Sequence, residues 1–262
     1  MSKLTELYLK KTIENYGKRK EDGKCIFCGA ELENNDYCIC RKSNKVNSIY
    51  KRLNNKIGYL LEYENDAEML QNQGNLAAIP QKFKGLDFSD FKITVKEQQQ
   101  VLNAVKSYAD DGIKKYLCGE NLLLIGNYGT GKTMLMSILC DEFIYRYRLG
   151  CRYFNAVELL YKVKNTFNTS SKYTTEQILK TYRDPEFLFI DDIDKLNPTD
   201  YVKELMYGIV NYRIEKRLPT VISANSSVET LDSQYFGEAV VSRLVEHSKE
   251  IIFNFKNMRI AG

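Results

Sequence analysis

Gly126-Asn127-Tyr128-Gly129-Thr130-Gly131-Lys132-Thr133 follows the apolar run Leu122-Leu123-Leu124-Ile125 and precedes a helical stretch from Met134 to Tyr147. A short apolar run bounded in this way reads as a buried parallel strand. The spacing G-x-x-x-x-G-K-S/T between such a strand and a helix is that of a phosphate-binding loop. Its glycines let the backbone wrap an anion, because they accept φ/ψ values that a Cβ forbids. Successive N–H groups and the positive end of the helix hold the anionic oxygens. On this reading Gly126 to Thr133 bind a nucleotide. Lys132 reaches the β- and γ-phosphates, and the Thr133 hydroxyl ligates Mg²⁺. The expected cofactors are therefore ATP or ADP with Mg²⁺.

Downstream, Phe187-Leu188-Phe189-Ile190-Asp191-Asp192 is an apolar strand that ends in paired carboxylates. Asp191 is placed to hold Mg²⁺ through water, and Asp192 to orient the attacking water as a general base. Two acids capping the next helix are the alternative. Pro219-Thr220-Val221-Ile222-Ser223-Ala224-Asn225 is a further strand, and Asn225 at its end can touch the γ-phosphate or the attacking water. A short strand is predicted from Arg152 to Phe154, and a last one at Glu250-Ile251-Ile252-Phe253. Helices are predicted over 157–167, 174–183, 200–217 and 240–245. Strands alternating with helices predict an α/β fold, with a parallel sheet covered on both faces.

Upstream, one helix is predicted over 94–117, with Val101, Ala104, Val105, Tyr108 and Ile113 apolar. Asn72-Gln73-Gly74-Asn75 reads as a linker. It divides the chain into an N-terminal module, 1–74, and a nucleotide domain, 75–262. In the first 22 residues, Leu4, Leu7, Tyr8, Ile13 and Tyr16 mark an amphipathic helix. Cys25-Ile26-Phe27-Cys28-Gly29 and Cys38-Ile39-Cys40 then place four thiols close together. Cys25, Cys28, Cys38 and Cys40 suit tetrahedral Zn²⁺, and four thiolates leave no open position, so the site is read as structural. Four reduced thiols in a loop are the alternative. From Asn44 to about Gly74, Ile49, Leu53, Ile57, Leu60 and Leu61 form a helical stripe beside Lys45, Lys51, Arg52 and Lys56. That stretch is either a partner- or nucleic-acid-binding helix or a solvated face packed on the cysteine module.

The 262 residues allow one large domain and a small one, and 44% hydrophobic with 27% charged content is ordinary for a globular chain. The net charge of +4 permits nucleic-acid contact. A single histidine, His247, argues against a His-based triad or zinc enzyme. No apolar run is long enough to span a bilayer, and Met1-Ser2-Lys3-Leu4-Thr5-Glu6 has no apolar leader. A cytoplasmic location is expected, where the seven cysteines would be reduced.

Taken in order, Ile79-Pro80-x-x-Phe83, the phosphate loop, Phe189-Ile190-Asp191-Asp192, Pro219-Thr220-x-x-x-Ala224-Asn225 and Ser242-Arg243-Leu244 resemble a known family. It is the AAA+ replicative helicase loaders of bacteria and their phages, the DnaC/DnaI type. The resemblance covers residues 79–260, and the cysteine cluster resembles the small zinc module that often precedes that core. It implies an AAA+ P-loop core, with a five-stranded parallel sheet between helices and no C-terminal lid. Asn225 then matches the first sensor and Arg259 the second. Arg243 matches an arginine finger reaching into a neighbouring subunit's ATP site. The resemblance also implies single-stranded DNA contacts at Phe167, Thr199 and Tyr201. Aromatics beside Lys162, Lys164 and Lys172 suit stacking on bases, with ordinary helix packing as the alternative. The implied partners are a DnaB-type hexameric helicase, gripped by the N-terminal module, single-stranded DNA, and further copies of the chain. Asp192 stands where the family often has Glu, which implies slow or conditional hydrolysis. Two other readings stay open: an IstB-type transposition helper acting on duplex DNA, and a nucleotide-gated adaptor that barely hydrolyses.

Overall fold

The computed structural model describes Gly74, Ala77 and residues 78–258, apart from 169, 198 and 233–236. The expected zinc ligands Cys25, Cys28, Cys38 and Cys40, the helices read in the first 73 residues, and Arg259 lie outside the described residues. The described part belongs to a compact unit that runs from Glu68 to Gly262. Gly74, read as linker, is helical. Its missing Cβ is what lets the Tyr145 hydroxyl approach.

Five strands form one parallel sheet in the order β2-β3-β4-β1-β5: β1 Asn121–Gly126, β2 Cys151–Asn155, β3 Phe187–Asp191, β4 Thr220–Ala224 and β5 Ser248–Phe253. The helices are α1 Lys96–Asp110, α2 Gly112–Cys118, α3 Lys132–Tyr147, α4 Ala156–Asn165, α5 Thr175–Arg183, α6 Asp200–Lys216, α7 Val228–Leu231 and α8 Glu238–Glu246. Short 3₁₀ turns occupy Gln81–Phe83 and Ile193–Lys195.

The near-continuous apolar strands follow from burial on both faces. Leu123 and Ile125 of β1, Leu188 and Ile190 of β3, and Ile222 and Ala224 of β4 share one core with Leu159, Val163, Leu179, Met206, Ile209 and Leu244 from α4, α5, α6 and α8. The intervening positions face the opposite side. There Phe143 of α3 stands 4.3 Å from the Phe187 ring, and Phe189 stands 6.4 Å from Tyr153. Each such buried side chain contributes roughly 1.5–3 kcal/mol.

The single helix expected over 94–117 is two helices, broken at Asp111. A Cβ on Gly112 would come within 2.9 Å of both the Phe143 and Tyr147 rings. The helix turns away there, and the Tyr147 hydroxyl donates to the Asp110 carbonyl at 2.7 Å.

In the β3–β4 ladder Ile190 lies opposite Ile222. The residues that follow, Asp191 and Ser223, consequently meet at the carboxyl edge of the sheet. Open α/β sheets bind their ligands at that edge.

Candidate nucleotide-binding site

β1 runs into the phosphate loop, and α3 starts at Lys132. Gly129 and Gly131 have φ of 73° and 89°, a region that L side chains rarely adopt. At both positions a Cβ would also clash, with the Asn257 amide at Gly129 and with the Phe91 ring at Gly131. The loop is held from within by Thr130, whose hydroxyl donates to the Asn127 carbonyl at 2.8 Å. It is held from outside by Met258, whose N–H donates to the Gly129 carbonyl at 2.9 Å.

Lys132 is buried, and its ammonium donates to the carbonyls of Gly126 at 2.5 Å and Asn127 at 2.8 Å and to Asn225 Oδ1 at 2.9 Å. Burial lowers its pKa from the ordinary lysine value, against the opposing pull of Asp192, Asp194 and Asp191. Asp191 is also buried. It accepts from Ser223 Oγ at 2.5 Å, Tyr153 OH at 2.6 Å and Thr133 Oγ1 at 3.2 Å. Burial raises its pKa, while those three hydroxyls lower it. The Thr133 hydroxyl and the Asp191 carboxylate are hard oxygen donors at the loop's edge, and that donor set fits Mg²⁺.

Asp192 takes the left-handed conformation, φ 54° and ψ 49°. Asp tolerates it better than most residues. Its N–H donates to Ser223 Oγ at 2.9 Å, and its carboxylate is ion-paired with Lys195. Asn225 is fixed by Asp194, which accepts from the Asn225 N–H at 2.8 Å and from its side-chain amide at 3.1 Å. Asp194 also accepts from Ser226 N and Oγ. Residues from all these segments line one pocket of about 230 Å³: Lys132, Thr133, Asp192, Lys195 and Asn225 on the polar side, Phe83, Phe91 and Met258 among the apolar ones. Tyr128 stands exposed at its rim.

Two expected features lie away from this pocket. Arg243 is exposed on α8 and donates to Asn211 Oδ1 of α6 at 3.0 Å. The Phe167 and Tyr201 rings, 34 positions apart in the chain, meet edge to face at 6.1 Å. They are 62% and 37% exposed. Thr199 caps α6 by accepting from the Val202 N–H at 3.4 Å. Lys162 is paired with Glu158, whereas Lys164 and Lys172 are exposed.

Residues 39–261 match the family model described as IstB-like ATP binding protein. The chain belongs to that family. Among similar IstB-like or related proteins, the replicative helicase loader DnaC of Escherichia coli (strain K12) is 26% identical over 200 residues, 76% of this chain and 79% of the relative. The phage-like element PBSX protein XkdC of Bacillus subtilis (strain 168) is 28% identical over 186 residues, 68% of this chain and 67% of the relative. The solved DnaC helicase loader superposes with a TM-score of 0.58 at 20% identity, covering 66% of this chain and 99% of that one. AMPPCP-bound DnaA from Aquifex aeolicus superposes with a TM-score of 0.53 at 18% identity, covering 66% of this chain and 51% of that one. Together with the family match, these superpositions show the AAA+ P-loop fold. No helix among the described residues is long and apolar enough to cross a membrane.

In this IstB-like chain the fold brings Lys132, Thr133, Asp191, Asp192 and Asn225 close together. It adds Tyr153, Ser223, Asp194 and Lys195, which sequence reasoning missed. Asp194 and Lys195 follow the acid pair directly, in Asp191-Asp192-Ile193-Asp194-Lys195. Their charges within one turn of the pair were the available signal. Tyr153 and Ser223 carried none.

Proposed function

We propose that this protein is an ATP-dependent loader that binds a hexameric replicative helicase and helps place it on single-stranded DNA. One observation carries the proposal: a chain matching the replicative helicase loader DnaC over 200 residues has phosphate-loop residues, Asp192 and Asn225 lining one pocket, with Asp191 hydrogen-bonded to Thr133 of that loop. Lys132 would exchange its carbonyl partners for the β- and γ-phosphates. Thr133 and Asp191 would hold Mg²⁺, which supplies charge neutralisation to the phosphates. Asp192 would accept a hydrogen bond from the attacking water, and Asn225 would orient that water or the γ-phosphate. Arg243, exposed and outside this chain's own pocket lining, would serve a neighbouring copy's site, with Arg259 as second sensor. Phe167 and Tyr201, already paired at the surface, would stack on bases with help from Lys164 and Lys172. Cys25, Cys28, Cys38 and Cys40 would bind Zn²⁺ in the N-terminal module, residues 1–74, that grips the helicase. The transposition-helper reading is weaker, because the curated DnaC relatives are named as helicase loaders.

The test is retention by a hexameric replicative helicase on a column, with and without ATP, beside immobilised duplex DNA. The loader reading expects retention by the helicase and transfer of the ring to circular single strands. Retention by duplex alone would overturn it. In parallel, Phe167→Ala and Tyr201→Ala should each weaken single-stranded DNA binding by about 1–3 kcal/mol in fluorescence anisotropy. Unchanged affinity in both, with folding intact, would return these rings to helix packing.

A further inference from the structure

Lys195 is a cation inside the nucleotide pocket that the phosphate-loop chemistry does not use. It ends the 3₁₀ turn Ile193–Lys195, three positions after Asp192, and its ammonium contacts the Asp192 carboxylate. The Asp192 side chain is 16% exposed and that of Lys195 46%, so the acid is enclosed while the base reaches in from solvent. Asp192 has little freedom to leave. Its backbone is fixed in the left-handed region, and its N–H is tied to Ser223 Oγ at 2.9 Å. The short Asp side chain must therefore meet Lys195 in almost the place from which it would meet water. The same pairing raises the Lys195 pKa, so the cation stays charged at neutral pH.

A general base must offer a carboxylate oxygen to the water it orients. An ammonium on that oxygen competes with the water for the lone pairs. The partner can be drawn off: the Lys195 side chain is 46% exposed, so an anion arriving from solvent, other than the nucleotide's own phosphates, can compete for its ammonium.

We propose that Lys195 is a positioning residue that restrains hydrolysis by holding Asp192 off the attacking water until another anion draws the ammonium away. This rests on the reading of the pocket as an ATPase site. It gives slow turnover a cause in this chain beyond the shorter reach of Asp.

The test is steady-state ATP turnover of the full chain with Lys195→Met, which keeps the length of the side chain and removes the charge. A partly exposed i,i+3 ion pair is a modest restraint, so kcat should rise about two- to fivefold. KM for ATP should move less than kcat. Lys195→Arg, which keeps a cation, should stay nearer the parent than Met does. In an Asp192→Asn background, Lys195→Met should change turnover no further, because the restrained group is gone. A kcat that is unchanged or lower in Lys195→Met, with the melting temperature intact, overturns the proposal. So does a rise in KM that outruns kcat, which would make Lys195 a phosphate ligand, and so does an equal effect in the Asp192→Asn background. Lys132→Ala is measured alongside. If the parent turns over no faster than Lys132→Ala, the ATPase reading itself fails and takes this proposal with it. A parent clearly faster than Lys132→Ala isolates any failure to Lys195.

Discussion

Lys132 and Arg213 are both buried cations held by backbone carbonyls, at opposite ends of one sheet. Lys132 sits at the carboxyl end, on two carbonyls of a glycine loop and one side-chain amide, with a pocket beside it. Arg213, on α6, is fully buried at the amino end of β3 and β4. It donates to the carbonyls of Tyr182, Arg183, Pro185 and Pro219 and to the Thr220 hydroxyl. The planar guanidinium fork spans several fixed acceptors at once and tolerates burial better than an ammonium. A lysine is a point charge on a flexible stem, able to turn from loop carbonyls to phosphates. On the proposed reading of Lys132 as a phosphate-binding cation, burial does not separate a structural cation from a functional one. What separates them is an adjoining cavity and partners that can be exchanged.

The largest effect that could break this contrast is on stability. Arg213→Ala should cost about 3–5 kcal/mol, because it strands several buried acceptors. Chemical denaturation measures it, and a loss below about 1 kcal/mol would mean water or neighbours replace the guanidinium. Next comes the carbonyl-free part of the Lys132 site. Asp194→Ala releases Asn225 and Ser226, and should lower turnover by roughly tenfold to a hundredfold, the equivalent of about 1.5–3 kcal/mol for bonds to a charged group. If its unfolding free energy drops while turnover holds, the pocket end is as structural as the Arg213 end. The smallest expected effect is at Tyr153→Phe. It removes a hydroxyl from Asp191, about 1 kcal/mol. The readout is the Mg²⁺ concentration needed for half-maximal turnover, which should shift by several-fold.

The two ends also differ in how far they could be read from sequence. Gly126–Thr133, Asp191-Asp192 and Asn225 are contiguous patterns whose spacing is set by chemistry on one loop or strand end, so they were legible. So was the α/β alternation, because strands buried on both faces must be apolar throughout. Ser223 and Tyr153 reach Asp191 only because β2, β3 and β4 lie side by side in parallel register. No local pattern encodes that adjacency. Arg213 resembles any helical arginine in Asn211-Tyr212-Arg213-Ile214 until α6 is packed against the strand ends. The break at Asp111 was hidden for a similar reason: the rings that fill the space over Gly112 come from α3. The Phe167–Tyr201 contact joins two segments that sequence could only propose separately.

The central claim is that Lys132 is an exchangeable cation awaiting phosphate. Titration calorimetry of the full chain with ATP and Mg²⁺ tests it most directly, on the same samples used for denaturation. The parent should bind ATP saturably. Lys132→Ala should lose at least about tenfold in affinity, roughly 1.4 kcal/mol, with its unfolding midpoint little changed. Equal ATP affinity in parent and Lys132→Ala, or a collapse of stability in place of binding, would contradict the claim.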